Sequence, residues 1–220
     1  MAATLIAQIN QDRIREAVAE AELRTSGEIV PVVVPASDAY EVALWKGALS
    51  GGLVLLALVL TTAALYDGWG LAWAYSAWGS GVALAVGCLI GWVLTRSIPA
   101  IRRMMAGTDR MAMATHQRAL VAFVEEEVFR TRDRTGILIL LSIFEHRIEV
   151  LGDEGINQAV QADDWVAIVD HIRTGIQSGK VTDHLVEAIH MCGNLLETKG
   201  VEIKPDDTNE LPDGLRIRKG

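Results

Sequence analysis

Cysteine is scarce in this sequence, with two residues among 220. Cys88 lies in an uncharged run and Cys192 in a predicted helix, so we expect neither a structural disulfide nor a disulfide-stapled fold. Familiar catalytic motifs are also missing: the chain has no nucleophile elbow, P-loop, paired zinc dyad or dinucleotide fingerprint. It therefore offers no direct sequence evidence for catalysis.

An excess of positive charge is absent as well. The net charge is −8 and the pI is near 5.1. No basic patch with interleaved aromatic residues is present, so nucleic acid is not an expected partner. The basic residues near Arg102 and Arg103 are better explained by attraction to anionic lipid headgroups.

Charge is also missing from two long apolar runs, at about 48–65 and 75–95, joined by a short aromatic loop at 66–73. A membrane span needs roughly 20 mostly apolar residues. Five of the six tryptophans lie between positions 45 and 96, in or beside these runs, as is typical of residues at membrane interfaces. The segment starts too late for a signal peptide. We predict a transmembrane hairpin, and the alternative is a buried core hairpin.

The orientation follows from the flanking cations. These are Lys46 before the first run and Arg96, Arg102, Arg103 and Arg110 after the second. The loop between the runs carries only Asp67. The positive-inside rule therefore predicts a two-pass protein of the inner or plasma membrane, with both termini and the polar domain in the cytoplasm.

The second run carries small residues on one helix face, namely Gly79, Ala83, Gly87 and Gly91. Such a stripe lets another helix backbone approach closely, which is how helices associate in lipid. One interpretation is packing against the chain's own first run. The other is docking to an integral membrane partner, or self-association.

The polar sequence shows alternating helix and strand patterns. We predict helices at about 10–24, 100–129, 165–177 and 185–196, and strands at 29–34, 136–143 and 148–151. Residues from about 202 are acidic and rich in turn formers, which predicts a loosely attached tail. This order predicts an α/β architecture with helices covering a small sheet.

Several segments together resemble the TPM domain family. They are TSGEIVPVVV at 25–34, RTRDRTGILI at 130–139, GDEGI at 152–156 and NELPD at 209–213. The resemblance covers nearly all the polar sequence. It implies an α/β/α sandwich around a small mixed sheet, interrupted between its first two strands by the transmembrane hairpin. Family members include acid phosphatases, calcium binders and helpers of photosystem repair.

The expected topology brings several charged residues to one end of the sheet. If the first two strands are parallel and the third is antiparallel to the second, Asp153 lies at the same end as Glu28 and Arg134. Glu28, Asp153 and Glu154 are then candidate ligands for a hard cation such as Ca²⁺. Arg130 and Arg134 are candidates to hold a phosphate. In the alternative, these arginines pair with the acids and close the sheet end.

Two other groups of polar residues are candidate sites, but exposure to solvent is the simpler explanation for both. Glu145 and Arg147 fall in the turn between the second and third strands and are expected to face solvent. Asp183, Glu187 and His190 share one helix face, which suits a metal site but is more typical of a solvated surface.

The sequence thus predicts a membrane-anchored accessory protein, a subunit or an assembly or repair factor of a larger membrane complex. The predicted domains are 1–44 and 99–201 for the polar fold, 45–98 for the hairpin and 202–220 for the tail. No cofactor is expected other than Ca²⁺. The alternatives are a weak metal-dependent acid phosphatase and a calcium-binding module without catalysis.

Overall fold

The structure is a computed structural model that describes residues 2–65, 76–201 and 209–218. Helices dominate these residues, and four strands form one small mixed sheet, which confirms the predicted α/β class. The chain divides into two compact units, one made of Met1–Asp38 with Ala112–Gly220 and the other of Ala39–Met111. The predicted loop at 66–73 lies outside the described residues.

The elements follow in chain order. The helices of the described residues are α1 (Ala2–Ala7), α2 (Gln11–Glu22), α3 (Glu41–Leu65), α4 (Ala77–Ser97), α5 (Pro99–Ala106), α6 (Thr108–Glu125), α7 (Glu154–Ala159), α8 (Val166–Ser178) and α9 (Val181–Thr198). The strands are β1 (Glu28–Val34), β2 (Gly136–Ser142), β3 (Arg147–Gly152) and β4 (Arg216–Ile217). Short 3₁₀ helices occur at Val128–Arg130 and Ala162–Trp165.

The sheet has the strand order β3-β2-β1-β4. β1 and β2 pair in parallel along their whole length, from Glu28 opposite Gly136 to Val34 opposite Ser142. β3 runs antiparallel to β2, and β4 pairs in parallel with the other side of β1. The predicted relation of the first three strands is therefore confirmed.

Both faces of the sheet are covered by helices. On one face, Ile29, Val33 and alternate residues of β2 join a core with buried residues of α2, α8 and α9. On the other face, Val30, Val32 and the intervening residues of β2 contact Ala119 and Ala122 of α6. Because both faces are buried, these strands read as continuous apolar runs instead of alternating patterns.

The first long helix, α2, begins as the sequence predicts. The side chain of Asn10 caps it by accepting a hydrogen bond from the backbone N–H of Arg13 at 3.1 Å. Ile14 and Val18 on its inner face are fully buried. The amphipathic pattern of this segment therefore reflects one face packed on the core.

The predicted continuous helix at 100–129 is wrong. The chain forms α5, stops at Gly107 and starts again as α6. Gly107 has φ +84, a conformation that glycine reaches without steric cost. The apolar periodicity continues across Gly107, so the sequence pattern does not indicate that the helix ends there.

The predicted loose tail is also wrong for its described part, residues 209–218. β4 extends the sheet beside β1, and Arg216 forms an ion pair with Glu126 at 3.2 Å. The side chains of these two residues are mostly buried. Residues 202–208 of the predicted tail lie outside the described residues.

In the second unit, α3 and α4 pack closely against each other. The unit extends beyond the predicted range 45–98 because α3 begins at Glu41 and α5 follows α4 directly. α3 has 25 residues and α4 has 21. Both helices are long and apolar enough to cross a membrane.

Candidate functional site

Glu28, a predicted metal ligand, is buried at the start of β1. Its carboxylate accepts hydrogen bonds from the backbone N–H groups of Glu210 at 3.1 Å and Leu211 at 3.3 Å. A charge-assisted pair of this kind fixes a chain segment firmly. Glu28 therefore attaches the segment that leads to β4 to the central strand.

Asp153, the second predicted ligand, caps the start of α7. One of its carboxylate oxygens accepts from the backbone N–H of Glu154 at 2.8 Å, and the other lies 2.9 Å from Nε of Arg134. Arg130, in contrast, forms an ion pair with Glu127 at 2.7 Å. Arg134 therefore pairs with Asp153 at the sheet end, as the alternative interpretation predicts. Arg130 pairs with Glu127 instead.

The topology does bring Glu28 and Asp153 to the same end of the sheet. Glu28 lies opposite Gly136, and the carbonyl oxygen of Gly136 accepts a hydrogen bond from the N–H of Asp153 at 2.8 Å. Their carboxylates, however, face separate partners. In the part of the chain that the structure describes, the predicted trio of Glu28, Asp153 and Glu154 does not form a convergent ligand group.

At the opposite end of the sheet, the prediction that Glu145 faces solvent is wrong. Its side chain is buried and accepts a hydrogen bond from the backbone N–H of Ser37 at 2.8 Å. The buried Ser142 hydroxyl donates to the same carboxylate and lies 2.8 Å from the hydroxyl of Ser37. Glu145 therefore joins the loops that follow β1 and β2, while Arg147 is half-buried at the start of β3.

A partly buried acid, Glu22, lies at the end of α2. One oxygen of Glu22 accepts from the backbone N–H of Ile29 at 2.8 Å, and the other is buried without a hydrogen bond. Burial raises the pKa of Glu22 from its ordinary value of 4.5 to about 8, and the nearby Glu28 adds to this shift. The folded state therefore favours a neutral Glu22 at neutral pH.

The predicted trio on α9 separates into three unrelated contacts. Asp183 pairs with Arg13 at 2.7 Å, and His190 lies 3.9 Å from Glu20. Glu187 instead contacts His171 of α8 at 2.7 Å. Of the predicted trio, only Glu187 belongs to a group of side chains that could hold a metal ion, and its partners there are not Asp183 and His190.

That cluster consists of His171, His184 and Glu187. Nε2 of His171 lies 3.2 Å from Nδ1 of His184, and the two rings are 4.6 Å apart. One metal-ligating atom from each of the three side chains lies within 4.8 Å of the other two. The spacing of His184 and Glu187 on α9 was visible in the sequence, but the contribution of His171 depends on how α8 packs against it.

The small-residue stripe of α4 faces α3. Gly79, Gly87 and Gly91 are buried, and Ala83 is half-buried. A Cβ on Gly87 would lie 2.8 Å from the Cα of Gly52, a distance that side chains essentially never occupy. Gly87 and Gly91 therefore pack against α3 within the chain, as the first of the two interpretations predicts, while docking to a partner stays a prediction.

Comparison with known proteins gives one structural relative. The chain is similar to the NMR structure of the BA42 protein from the psychrophilic bacterium Bizionia argentinensis, with a TM-score of 0.57 and 18% sequence identity over 96% of each chain. At this identity the likeness concerns the fold alone. No protein-family model matches the sequence, and no curated protein matches it.

Proposed function

We propose that this chain is a two-pass membrane protein anchored by α3 and α4. The observation that carries the proposal is the distribution of side-chain size in this helix pair. Glycines fill the contact between the helices, whereas large residues such as Leu53, Leu89 and Trp78 are more than half exposed. Water penalises such exposure by roughly 25 cal/mol per Å² of apolar surface, but lipid does not.

The lengths of the two helices agree with this role. At about 1.5 Å per residue, 25 and 21 residues span roughly 37 Å and 31 Å, which suffices for a hydrocarbon core of about 30 Å. Arg96, in the last turn of α4, lies over the ring of Trp92 at 5.6 Å. This is the kind of pair expected where a helix leaves the membrane.

The proposed orientation has both termini and the α/β unit in the cytoplasm. It is supported by Arg96 at the end of α4 and by Arg102 and Arg103 in α5, because cytoplasmic flanks carry an excess of basic residues. A cysteine introduced at either end of α4 tests it. Ser76→Cys should react with a membrane-impermeant maleimide in intact cells, and Ser97→Cys only after permeabilisation.

The wild-type chain, which retains Cys88 and Cys192, is the control for background labelling. The reverse pattern, with Ser97→Cys labelled in intact cells, would overturn the orientation. Labelling of both positions in intact cells would contradict the membrane anchor itself.

Within the membrane we propose an accessory role, in which the helix pair binds a transmembrane helix of a larger complex. An apolar groove of about 400 Å³ runs along one side of the pair. It is lined by backbone at Gly51 and Gly91 and by exposed Val54, Ile90 and Leu94. Small residues at the floor of a groove allow a third helix to approach closely, which favours helix association in lipid.

Neighbouring residues on α4 provide a matched test of this role. Ile90 lines the groove, whereas Leu89 is similarly exposed but lies outside it. After extraction in a mild detergent, the wild-type protein should migrate in a particle larger than its monomer. Ile90→Trp should reduce that particle and Leu89→Trp should not. A wild-type monomer in every mild detergent would count against the accessory role without affecting the proposed anchor.

We further propose that the chain is a TPM-type protein with an α/β/α sandwich interrupted by the membrane hairpin. The segments that carry the resemblance fall at β1, β2, the start of α7 and the segment held by Glu28. The two long apolar helices α3 and α4 lie between β1 and β2 in the chain, which agrees with the interruption that the resemblance implies. A different strand order in an experimental structure of the chain would contradict this assignment.

A second candidate function is cation binding at the sheet end, where Glu28 and Asp153 both flank Gly136 and an ion would have to draw the two carboxylates away from their present partners. Under this hypothesis Ca²⁺ raises the melting temperature of the protein, and Glu28→Gln and Asp153→Asn remove that response. The phosphatase version predicts hydrolysis of phosphomonoesters that Asp153→Asn abolishes. An unchanged melting temperature and no turnover with Ca²⁺, Mg²⁺ or Mn²⁺ would eliminate both versions.

A further inference from the structure

We propose that His171, His184 and Glu187 form a binding site for a divalent transition metal of the Zn²⁺ class. Two imidazoles and one carboxylate are a ligand set that zinc uses in proteins. The site lies in the α/β unit, on the pair of helices α8 and α9. Its three residues are different from those at the sheet end.

The distances within the cluster fit tetrahedral coordination. Zinc bonds to nitrogen and oxygen measure about 2.0–2.1 Å, so neighbouring ligand atoms around a tetrahedral ion lie roughly 3.3 Å apart. Nε2 of His171 lies 3.2 Å from Nδ1 of His184 and 2.7 Å from a carboxylate oxygen of Glu187. Since all three ligand atoms lie within 4.8 Å of one another, side-chain rotations that bring their separations to about 3.3 Å would complete the ligand set.

The chemistry of the three atoms also favours a cation. When both imidazoles are neutral and carry their protons on the outer nitrogens, the two inner nitrogens and the carboxylate oxygen can each offer a lone pair, and these three atoms lie within 4.8 Å of one another. A single bridging proton satisfies only part of this group, whereas a metal ion accepts all three lone pairs. Imidazole nitrogen favours zinc and its neighbours over Ca²⁺ or Mg²⁺, which prefer oxygen.

The backbone positions the two histidines close together. Gly175 of α8 faces His184, and a Cβ added at this glycine would lie 2.7 Å from Cγ of the imidazole. On α9, Leu185 and Ala188, which flank the cluster in sequence, are buried in the core. Packing between the helices therefore holds His184 against His171 without a bound ion. The site is thus largely formed before the metal binds.

The site is reachable from solvent. The side chains of His171 and Glu187 are 29% and 64% exposed. An ion with three protein ligands keeps a fourth position for water, as in zinc sites that bind or activate small molecules. The geometry therefore points to an open metal site and not to a closed structural one.

The test is Zn²⁺ titration of the untagged, metal-stripped full chain in detergent, followed by isothermal calorimetry and by competition with a chromophoric chelator. We expect one saturable equivalent for the wild type. His171→Ala and His184→Ala should each weaken binding by more than about 100-fold, beyond the 10–100-fold typical of outer-shell partners. His190→Ala is the matched control, because His190 is on the same helix but faces Glu20.

Cobalt provides a readout that folding defects do not imitate. Co²⁺ in the wild type should give the intense visible absorption of a tetrahedral complex, and Glu187→Gln should weaken or shift it while the circular dichroism of the protein is unchanged. Absence of saturable Zn²⁺ binding by the wild type would overturn the proposal. So would equal loss of binding in His190→Ala, or undiminished binding in a folded His184→Ala variant.

Discussion

The two compact units of this protein bury opposite kinds of residue. In the α/β unit the fully buried positions hold large apolar side chains, such as Leu138 and Ile139. In the helix pair the buried positions include Gly87 and Gly91, while Leu53 is turned outward. Burial of apolar volume therefore stabilises the first unit, whereas direct contact between backbones holds the second together.

Removing side-chain volume from the core of the α/β unit should destabilise the protein most. Leu138→Ala leaves a cavity under α6 and should cost about 2–5 kcal/mol of stability. Leu53→Ala, the matched change on α3, removes an outward side chain and should cost little in detergent. Hydrogen exchange of the β1 and β2 amides measures the first effect. Equal destabilisation by the two substitutions would break the contrast between the units.

Adding volume should produce the opposite pattern. Gly91→Val directs its side chain into the backbone of Gly47 and should destabilise the helix pair by about 1–3 kcal/mol or more. Gly81→Val is the control, because a Cβ at Gly81 meets nothing within 4 Å. Distances between spin labels on α3 and α4, measured in a Cys88→Ala background, should increase for the first variant only. An unchanged distance in Gly91→Val would show that the close contact is not required.

The partly buried Glu22 should make the stability of the α/β unit depend on pH. Its pKa is raised from 4.5 to about 8 on folding, so the folded state binds a proton that the unfolded state has lost between these values. Stability should therefore fall as pH rises through this window, by at most about 1.4 kcal/mol per pH unit. Glu22→Gln should remove this slope and raise the melting temperature at pH 8.

The exposed Glu16 on the same helix provides the control, and Glu16→Gln should leave the pH profile of melting unchanged. A slope that persists in Glu22→Gln would assign the pH dependence to another group.

A final prediction concerns Gly175, where the α/β unit uses a glycine contact like those of the helix pair. A Cβ at this position would overlap the Cβ of His184, so Gly175→Ala should push His184 away and lower the melting temperature. Zn²⁺ affinity should also fall at least about 10-fold, because ligand positions tolerate little error. Wild-type affinity in this variant would mean that the glycine does not position the histidine.

The regular elements of the α/β unit were predictable because their patterns are local. β1 and β2 are continuous apolar runs, and α8 and α9 repeat apolar residues at helical spacing. β4 was missed because two residues, one of them the charged Arg216, carry no strand pattern. Its position depends on contacts with β1 and Glu126, which the sequence does not display.

The candidate sites were less predictable, since they depend on contacts between distant segments. The strand order correctly brought Glu28 and Asp153 to one sheet end, because topology alone determines that. It did not indicate that backbone amides near Leu211 would occupy the Glu28 carboxylate. The pairing of His171 with His184 likewise follows from helix packing that periodicity does not specify.

The position of the helix pair in the chain delays the pairing of β1 with β2 during synthesis. β1 and β2 are hydrogen-bonded neighbours, yet about 100 residues, including both long apolar helices, lie between them. At roughly 5–20 residues per second of synthesis, β1 waits about 5–20 s for its partner strand. During that delay an apolar strand is open to wrong pairing, and Pro31 at its centre lacks the N–H that another chain would bind. Both long apolar helices must therefore leave the ribosome before the central pair of strands in the sheet can close.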